Sequence, residues 1–371
     1  MCSYRAGFLP EERREIEARL FGGELTGVIS TSALELGVDI GGLDVCILVG
    51  YPGTISSTWQ RSGRVGRSGR DSLIALVGLP DALDQYFMRN PSDFFRRTME
   101  AAVVDNENAP IAKAHLACAA AEGYLKSTDE VYDIPAMRPL LAELESEGKL
   151  RRWEKGGVWF PRTKYPHRYV SIREAGEPYL ILNDAGRLIG ESSASRVMYE
   201  LHPGAVYLHK GGQYIVERLD TKDKKVICRS AADISYYTSA MTDEDTEIVS
   251  TEASSELSGV TINFGTLKAT EDVLGYRKKQ IFTGKTLGEF PLDLPSTVFT
   301  TKGVWMKVDE SVLDEVRAAG QISIPGSLHA LEHAAIATLP LFALCDRFDL
   351  GGVSYPLNPE LLGAAIFIYD G

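Results

Sequence analysis

Between residues 60 and 70 the chain reads Gln60-Arg61-Ser62-Gly63-Arg64-Val65-Gly66-Arg67-Ser68-Gly69-Arg70. Arginine recurs at every third position, with glycines between. Arginines three apart on a helix share roughly one face, and four like charges packed this closely repel unless an anion lies among them. A guanidinium stays charged and bonds phosphate oxygens in pairs, so a triphosphate is an anion that fits. The glycines let the backbone come close to another surface. Taken alone, the run also reads as an exposed basic loop, so its surroundings matter. Upstream lies Ser30-Thr31-Ser32-Ala33-Leu34-Glu35-Leu36-Gly37-Val38-Asp39-Ile40, and short apolar runs at 45–49 and 73–79 flank the arginines. Runs of that length suit buried parallel strands. A helix is expected over 9–22, with Pro10, Glu11 and Glu12 at its start and Gly22-Gly23 at its end. A short strand over 27–30 and a helix over 57–64 complete the pattern of an α/β sheet.

A chain of 371 residues exceeds one ordinary core and predicts two to four domains. Past Pro91 the character changes. An Ala-rich helix is expected over 109–125 and an amphipathic one over 135–149. Two β-like runs over 150–160 then flank Lys155-Gly156-Gly157. Helix, helix and Gly-tipped hairpin outline a winged helix, an outline shared with other small α+β domains. Residues 168–311 are rich in short strands parted by turns such as Asn183-Asp184 and Gly211-Gly212. They predict a β-barrel or sandwich, with the acidic stretch 242–256 as a mobile loop. A helical segment over 327–345 follows, and Ala365 to Tyr369 reads as a buried strand close to the end, which suggests truncation.

The net charge of −12 does not announce a nucleic-acid binder. The acid is local, however, and basic residues gather at 61–70 and 162–173. Arg162, Lys164, Arg168 and their neighbours His167 and Arg173 are candidate phosphate contacts. Trp153 and Trp159 could stack on bases beside Arg151, Arg152 and Lys155; Trp159, inside an apolar run, is assigned to the core. Five cysteines at 2, 46, 118, 228 and 345 form no CxxC pair, which predicts reduced thiols and neither a zinc knuckle nor a disulfide framework. No membrane span and no secretory leader are evident, so the expected location is cytoplasmic. His329-Ala330-Leu331-Glu332-His333 matches HxxEH, but without a clear third ligand it is read as polar residues of helix packing. No metal site is assigned within the chain.

The two stretches around 30–40 and 60–70 resemble motifs V and VI of superfamily 2 helicases of the DEAD/DEAH type, within the second RecA-like domain. Motif VI, QxxGRxGR, is matched at Gln60, Gly63, Arg64, Gly66 and Arg67. The resemblance implies that Arg67 is the arginine finger and Arg64 its γ-phosphate partner. Gln60, Gly63 and Gly66 would lie at the nucleotide, as would Gly37 and Asp39 of motif V. Ser30 and Thr31 would touch the nucleic-acid backbone. The segments 202–209, 214–217, 236–238, 329–333 and 366–371 are similar to the accessory region of MrfA-like (YprA) DNA helicases. That family implies ATP-dependent, 3′ to 5′ DNA translocation in DNA repair, with ATP, Mg2+, and DNA (single-stranded or 3′-tailed) as partner. It also carries a four-cysteine zinc cluster, expected outside this chain. No GxxxxGK[ST] phosphate loop and no DEAD-like box occur here. The chain alone is therefore expected to be inactive without an N-terminal RecA-like domain; the alternative is a standalone DNA-binding module.

The expected fold is multidomain, α/β plus α+β. It comprises a truncated second RecA-like domain (1–95), a winged helix (96–167), a β-barrel-like accessory domain (168–311) and a truncated C-terminal helical and α/β region (312–371).

Overall fold

The computed structural model describes residues 1–371 apart from 6, 36–42, 68, 70, 103–107, 154, 156, 171–177, 321 and 346–348. Gly37, Asp39, Arg70 and Arg173 lie outside the described residues. The chain divides into two compact units, one formed by 1–103 with 235–371, the other by 104–234.

The first unit opens with β1 (Cys2–Tyr4), α1 (Pro10–Phe21), β2 (Val28–Ser30), β3 (Val45–Val49), α2 (Ile55–Ser62), β4 (Leu73–Val77), α3 (Ala82–Arg89) and α4 (Pro91–Arg96). α1 starts where the sequence places it. Pro10 takes the first turn, and the Glu12 carboxylate accepts a hydrogen bond from the Leu9 amide at 3.0 Å. The strands form two parallel pairs, β1 with β2 and β3 with β4, rather than one continuous sheet. Leu48 is buried, while Val45, Ile47 and Val49 on the other face of β3 are exposed. The burial expected for the apolar strands is thus met on one face. Asp84, itself buried, accepts from the amides of Tyr51 (2.9 Å) and Leu79 (2.6 Å) and so ties together the chain leaving β3 and β4.

The second unit contains α5 (Ala109–Gly123), β5 (Leu125–Lys126), α6 (Glu130–Asp133), α7 (Met137–Ser146), β6 (Leu150–Trp153) and β7 (Val158–Pro161). Helices α5 and α7 pack Leu116, Ala120, Leu140, Leu141 and Leu144 around Trp159, against a three-stranded sheet in the order β5-β7-β6. This is the winged-helix outline, with Trp159 in the core. The unit continues with β8 (Tyr179–Asn183), β9 (Leu188–Ser192), α8 (Ala194–Glu200), β10 (Val206–His209), β11 (Gly212–Asp220) and β12 (Lys225–Ala231). These strands form a sheet in the order β10-β11-β12-β8-β9 over Ile181, Val197, Val216, Val226 and Cys228.

The first unit resumes with β13 (Tyr236–Leu257), β14 (Val260–Gln280), β15 (Thr286–Pro291), β16 (Thr297–Val308), α9 (Glu310–Ala318), α10 (Ile324–Thr338), β17 (Leu350–Asn358) and β18 (Gly363–Asp370). The sheet runs β13-β14-β16-β18-β17, with β15 also on β14. The strands expected over 168–311 therefore lie in two sheets, and β17 and β18 belong to the second of them. The acidic stretch 242–256 is not a loop; it lies in β13, paired with β14. The reason is visible in its register. Most of its acidic side chains face solvent on an edge strand, Lys268 of β14 and Lys302 of β16 pair with Glu247 and Glu252, and half-buried Glu244 accepts from the Tyr369 hydroxyl at 2.9 Å. Charge on an exposed edge also discourages pairing with a second sheet. Among the described residues, no helix is long and apolar enough to cross a membrane.

Candidate functional site

The arginine run is held by α2 and the turn that follows it. Thr54 caps the helix, its hydroxyl accepting from the Ser57 amide at 2.9 Å. The Glu100 carboxylate adds bonds from the amides of Ile55 (2.6 Å) and Ser56 (3.1 Å), so a negative charge meets the positive end of the helix. The helix ends at Ser62, with Gly63 as its cap. Arg64 and Arg67 consequently lie beyond it, and the shared helical face expected of the arginines does not form over Arg61, Arg64 and Arg67. Their placement comes from the turns instead. Val65 bridges to Leu43, and the Gly66 amide donates to the Leu43 carbonyl at 3.3 Å. Gly66 has φ of 74°, a conformation that a side chain would strain.

Glu35 is the residue that sequence reasoning missed. Its carboxylate accepts from Arg61 Nε at 2.8 Å and from the Ser57 hydroxyl at 2.7 Å, and its carbonyl accepts from Arg64. One acidic residue of the upstream stretch thus joins it to α2 and answers part of the charge that seemed to demand an external anion. The signal was present, as a carboxylate inside Leu34-Glu35-Leu36, but only the fold shows which arginine it takes. Glu100, distant along the chain, gave no signal at all. Arg67 is exposed, with its Nε donating to the Gly63 carbonyl at 3.0 Å. Gln60 is also exposed, 3.5 Å from the Ser56 hydroxyl. Ser30 and Thr31 are exposed at the C-terminal end of β2, the end where parallel α/β sheets bind ligands. An exposed arginine carried on a glycine turn suits an anion brought by another surface, so the donors present fit a nucleotide phosphate. The cavity beneath α2, ≈ 260 Å³ and lined by Leu48, Trp59, Ile74, Phe87 and Phe94 among others, offers no charged group and is not a phosphate site.

In the second unit a separate basic surface follows β7. Arg162, Lys164 and Arg168 are exposed. The Lys164 ammonium and the Arg168 guanidinium both stack on Tyr165, at 5.2 and 4.8 Å from its ring centre. Tyr165 and Tyr169 are exposed, as is Trp153. Charge beside open aromatic faces is the combination that grips a phosphate backbone and stacks bases. Elsewhere, the segment 202–209 proves structural: His202, Ala205 and His209 are buried. Among the described residues the five cysteines form no disulfide, and burial pushes the Cys228 thiol up to about 12, which leaves it inert.

Comparison with known proteins finds matches over the same two regions of the chain. Residues 1–69 match the helicase conserved C-terminal domain, and residues 104–175 match the winged helix domain of ATP-dependent helicase HRQ1. Over 99% of its length the chain is 34% identical to the protein of Bacillus subtilis (strain 168) described as uncharacterized ATP-dependent helicase YprA, of which it spans 49%. It is 29% identical to ATP-dependent helicase HRQ1 of Saccharomyces cerevisiae over 92% of the chain, spanning 32% of that protein. The chain thus spans half or less of the length of these relatives. The crystal structure of DUF1998 helicase MrfA bound to DNA superposes with a TM-score of 0.68 at 34% identity, covering 100% of this chain and 49% of that one. A second MrfA structure, bound to DNA and AMPPNP, gives a TM-score of 0.67. Matched over 99% of its length, with motif VI on its glycine turn and a winged-helix match following in sequence, the chain resembles the C-terminal part of superfamily 2 helicases of the YprA and MrfA kind.

Proposed function

We propose that this chain supplies the arginine finger and the DNA-guiding surfaces of an ATP-driven DNA helicase that moves 3′ to 5′ and serves DNA repair. The observation that carries the reading is Arg67, exposed on the Gly66 turn that Glu35 and Leu43 hold against α2. In this reading ATP binds where a first RecA-like domain, bearing the phosphate loop and the Mg2+ ligands, closes on this surface. Arg67 then reaches the γ-phosphate, and Arg64 acts as its partner. Gln60, Gly63 and Gly66, with Gly37 and Asp39, line the nucleotide, while Ser30 and Thr31 touch the DNA backbone. Bound magnesium would neutralise charge on the transferring phosphoryl group. An arginine that meets that charge only in the transition state accelerates hydrolysis by about 10³ to 10⁵.

The test supplies a first RecA-like domain carrying GxxxxGK[ST] and measures DNA-stimulated ATP hydrolysis. Arg67→Ala is expected to lower kcat about 10³-fold while nucleotide affinity changes little. Normal turnover by the variant would remove the arginine-finger assignment. The exposed Arg162, Lys164, Arg168 and Tyr165 group supports a second reading, a module that binds DNA without any motor role. Under that reading, adding the first domain brings no hydrolysis, and DNA binding is complete without it.

A further inference from the structure

Helix α10 lies on β17 and β18, burying Leu328 and Glu332 among the apolar residues of that sheet. His329 and His333 stand one turn apart on its exposed flank. Their ring centres are 4.4 Å apart, and the two Nε2 atoms face each other at 3.1 Å. A tetrahedral zinc ion, with Zn–N of about 2.0–2.1 Å, holds its nitrogens about 3.3–3.4 Å apart. The rings therefore already stand near ligating separation.

The third member of the cluster explains the orientation. On the far side of the His329 ring, Nδ1 lies 3.2 Å from Glu332 Oε2. The Glu332 side chain is only 5% exposed. Its seat is made by Gly352 on β17, where a Cβ would come within 3.2 Å of Glu332 Cγ and 2.7 Å of Ile336 Cδ1. A buried carboxylate requires a donor, and a His329 tautomer with its proton on Nδ1 supplies one. That tautomer carries its lone pair on Nε2, which lies 3.1 Å from Nε2 of His333. A carboxylate that fixes the tautomer of a histidine from behind is the usual support of a histidine metal ligand.

We propose that His329 and His333 bind a divalent transition metal of zinc type through their Nε2 atoms, with Glu332 as the positioning residue that holds His329. The remaining coordination positions open to solvent. Glu332 is turned into the fold and spent on His329, so it does not activate a water, and the site binds metal without the hydrolysis that HxxEH suggests in zinc proteases. The site uses none of the residues assigned to ATP or DNA and stands or falls separately from that reading.

The experiment titrates zinc chloride into the whole chain by calorimetry, after its cysteines have been alkylated. One equivalent is expected to bind saturably, and His333→Ala should weaken it at least about tenfold. The paired substitution His329→Ala with His333→Ala should abolish it. The His333 ring is exposed, so His333→Ala should unfold at the wild-type temperature without metal, whereas the paired variant, which takes the donor from buried Glu332, should unfold at a lower one. Glu332→Gln keeps both ligands and the side-chain volume; it should weaken zinc by about 10- to 100-fold. In the same variant, ring-nitrogen NMR should show His329 losing its preference for the Nδ1–H tautomer. Equal zinc binding by the paired variant, or no saturable binding by the alkylated wild type, would overturn the site. Unchanged affinity and tautomer in Glu332→Gln would overturn the positioning role.

Discussion

At the scale of single residues, burial decides what polar groups do. His202 is fully buried, and its Nδ1 lies 3.0 Å from the Pro203 carbonyl. Burial lowers its pKa below the ordinary imidazole value of 6.5, outweighing the hydrogen bond that would raise it. The unfolded chain therefore takes the proton more readily than the folded one. The stability that follows from a neutral His202 is present above about pH 6.5 and is lost as pH falls through the lowered folded value. We expect the unfolding midpoint of the wild type to drop more between about pH 7.5 and 5.5 than that of His202→Asn, which keeps a donor near Nδ1 but does not titrate. Parallel curves from thermal unfolding at the two pH values would refute this. Glu35 makes the complementary point. Its carboxylate, half hidden among arginines, is held by Arg61 and Ser57, so its value lies in ordering a loop and a helix together.

At the scale of elements, the long hairpin of β13 and β14 turns on Ser258 and Gly259, with φ of 49° and 78°. Two central residues at positive φ make the kind of turn whose twist matches the strands it joins. A side chain at 259 would also meet Val312 Cγ2 at 2.8 Å. Gly259→Ala is therefore expected to destabilise the chain by about 1–3 kcal/mol, measured by chemical denaturation; a loss near zero would show that α9 yields freely. The helices show how far caps become visible in sequence. Pro10 with Glu12 marks the start of α1 in the sequence, whereas the caps Thr54 and Asn108 emerge only in the fold, and α2 starts at Ile55 rather than at the expected 57. The acidic strand β13 misled because charge density was read as solvation, when alternation with Ile248 and Thr246 on the inner face was the stronger signal.

At the scale of the whole molecule, the basic surface after β7 sits in an acidic chain and must act locally. Replacing Arg162, Lys164 and Arg168 together by alanine should lower the slope of log affinity against log salt for single-stranded DNA by about 2, at about 0.7 per phosphate contact. Fluorescence anisotropy across a salt series measures it, and an unchanged slope would move the contact elsewhere.

The sequence by itself determined the motif VI run, the α/β order around it, the winged-helix outline and the burial of Trp159, because each rests on local spacing, turn chemistry or apolar periodicity. Only the tertiary structure decided that α2 stops at Ser62, that Glu35 and Glu100 hold its two ends, that β18 runs between β16 and β17, and that Glu332 stands behind His329. These are pairings between residues far apart in the chain, or between side chains whose direction depends on which face of an element is buried. Their energies come from contacts that do not exist until the chain has folded, and no local pattern encodes them.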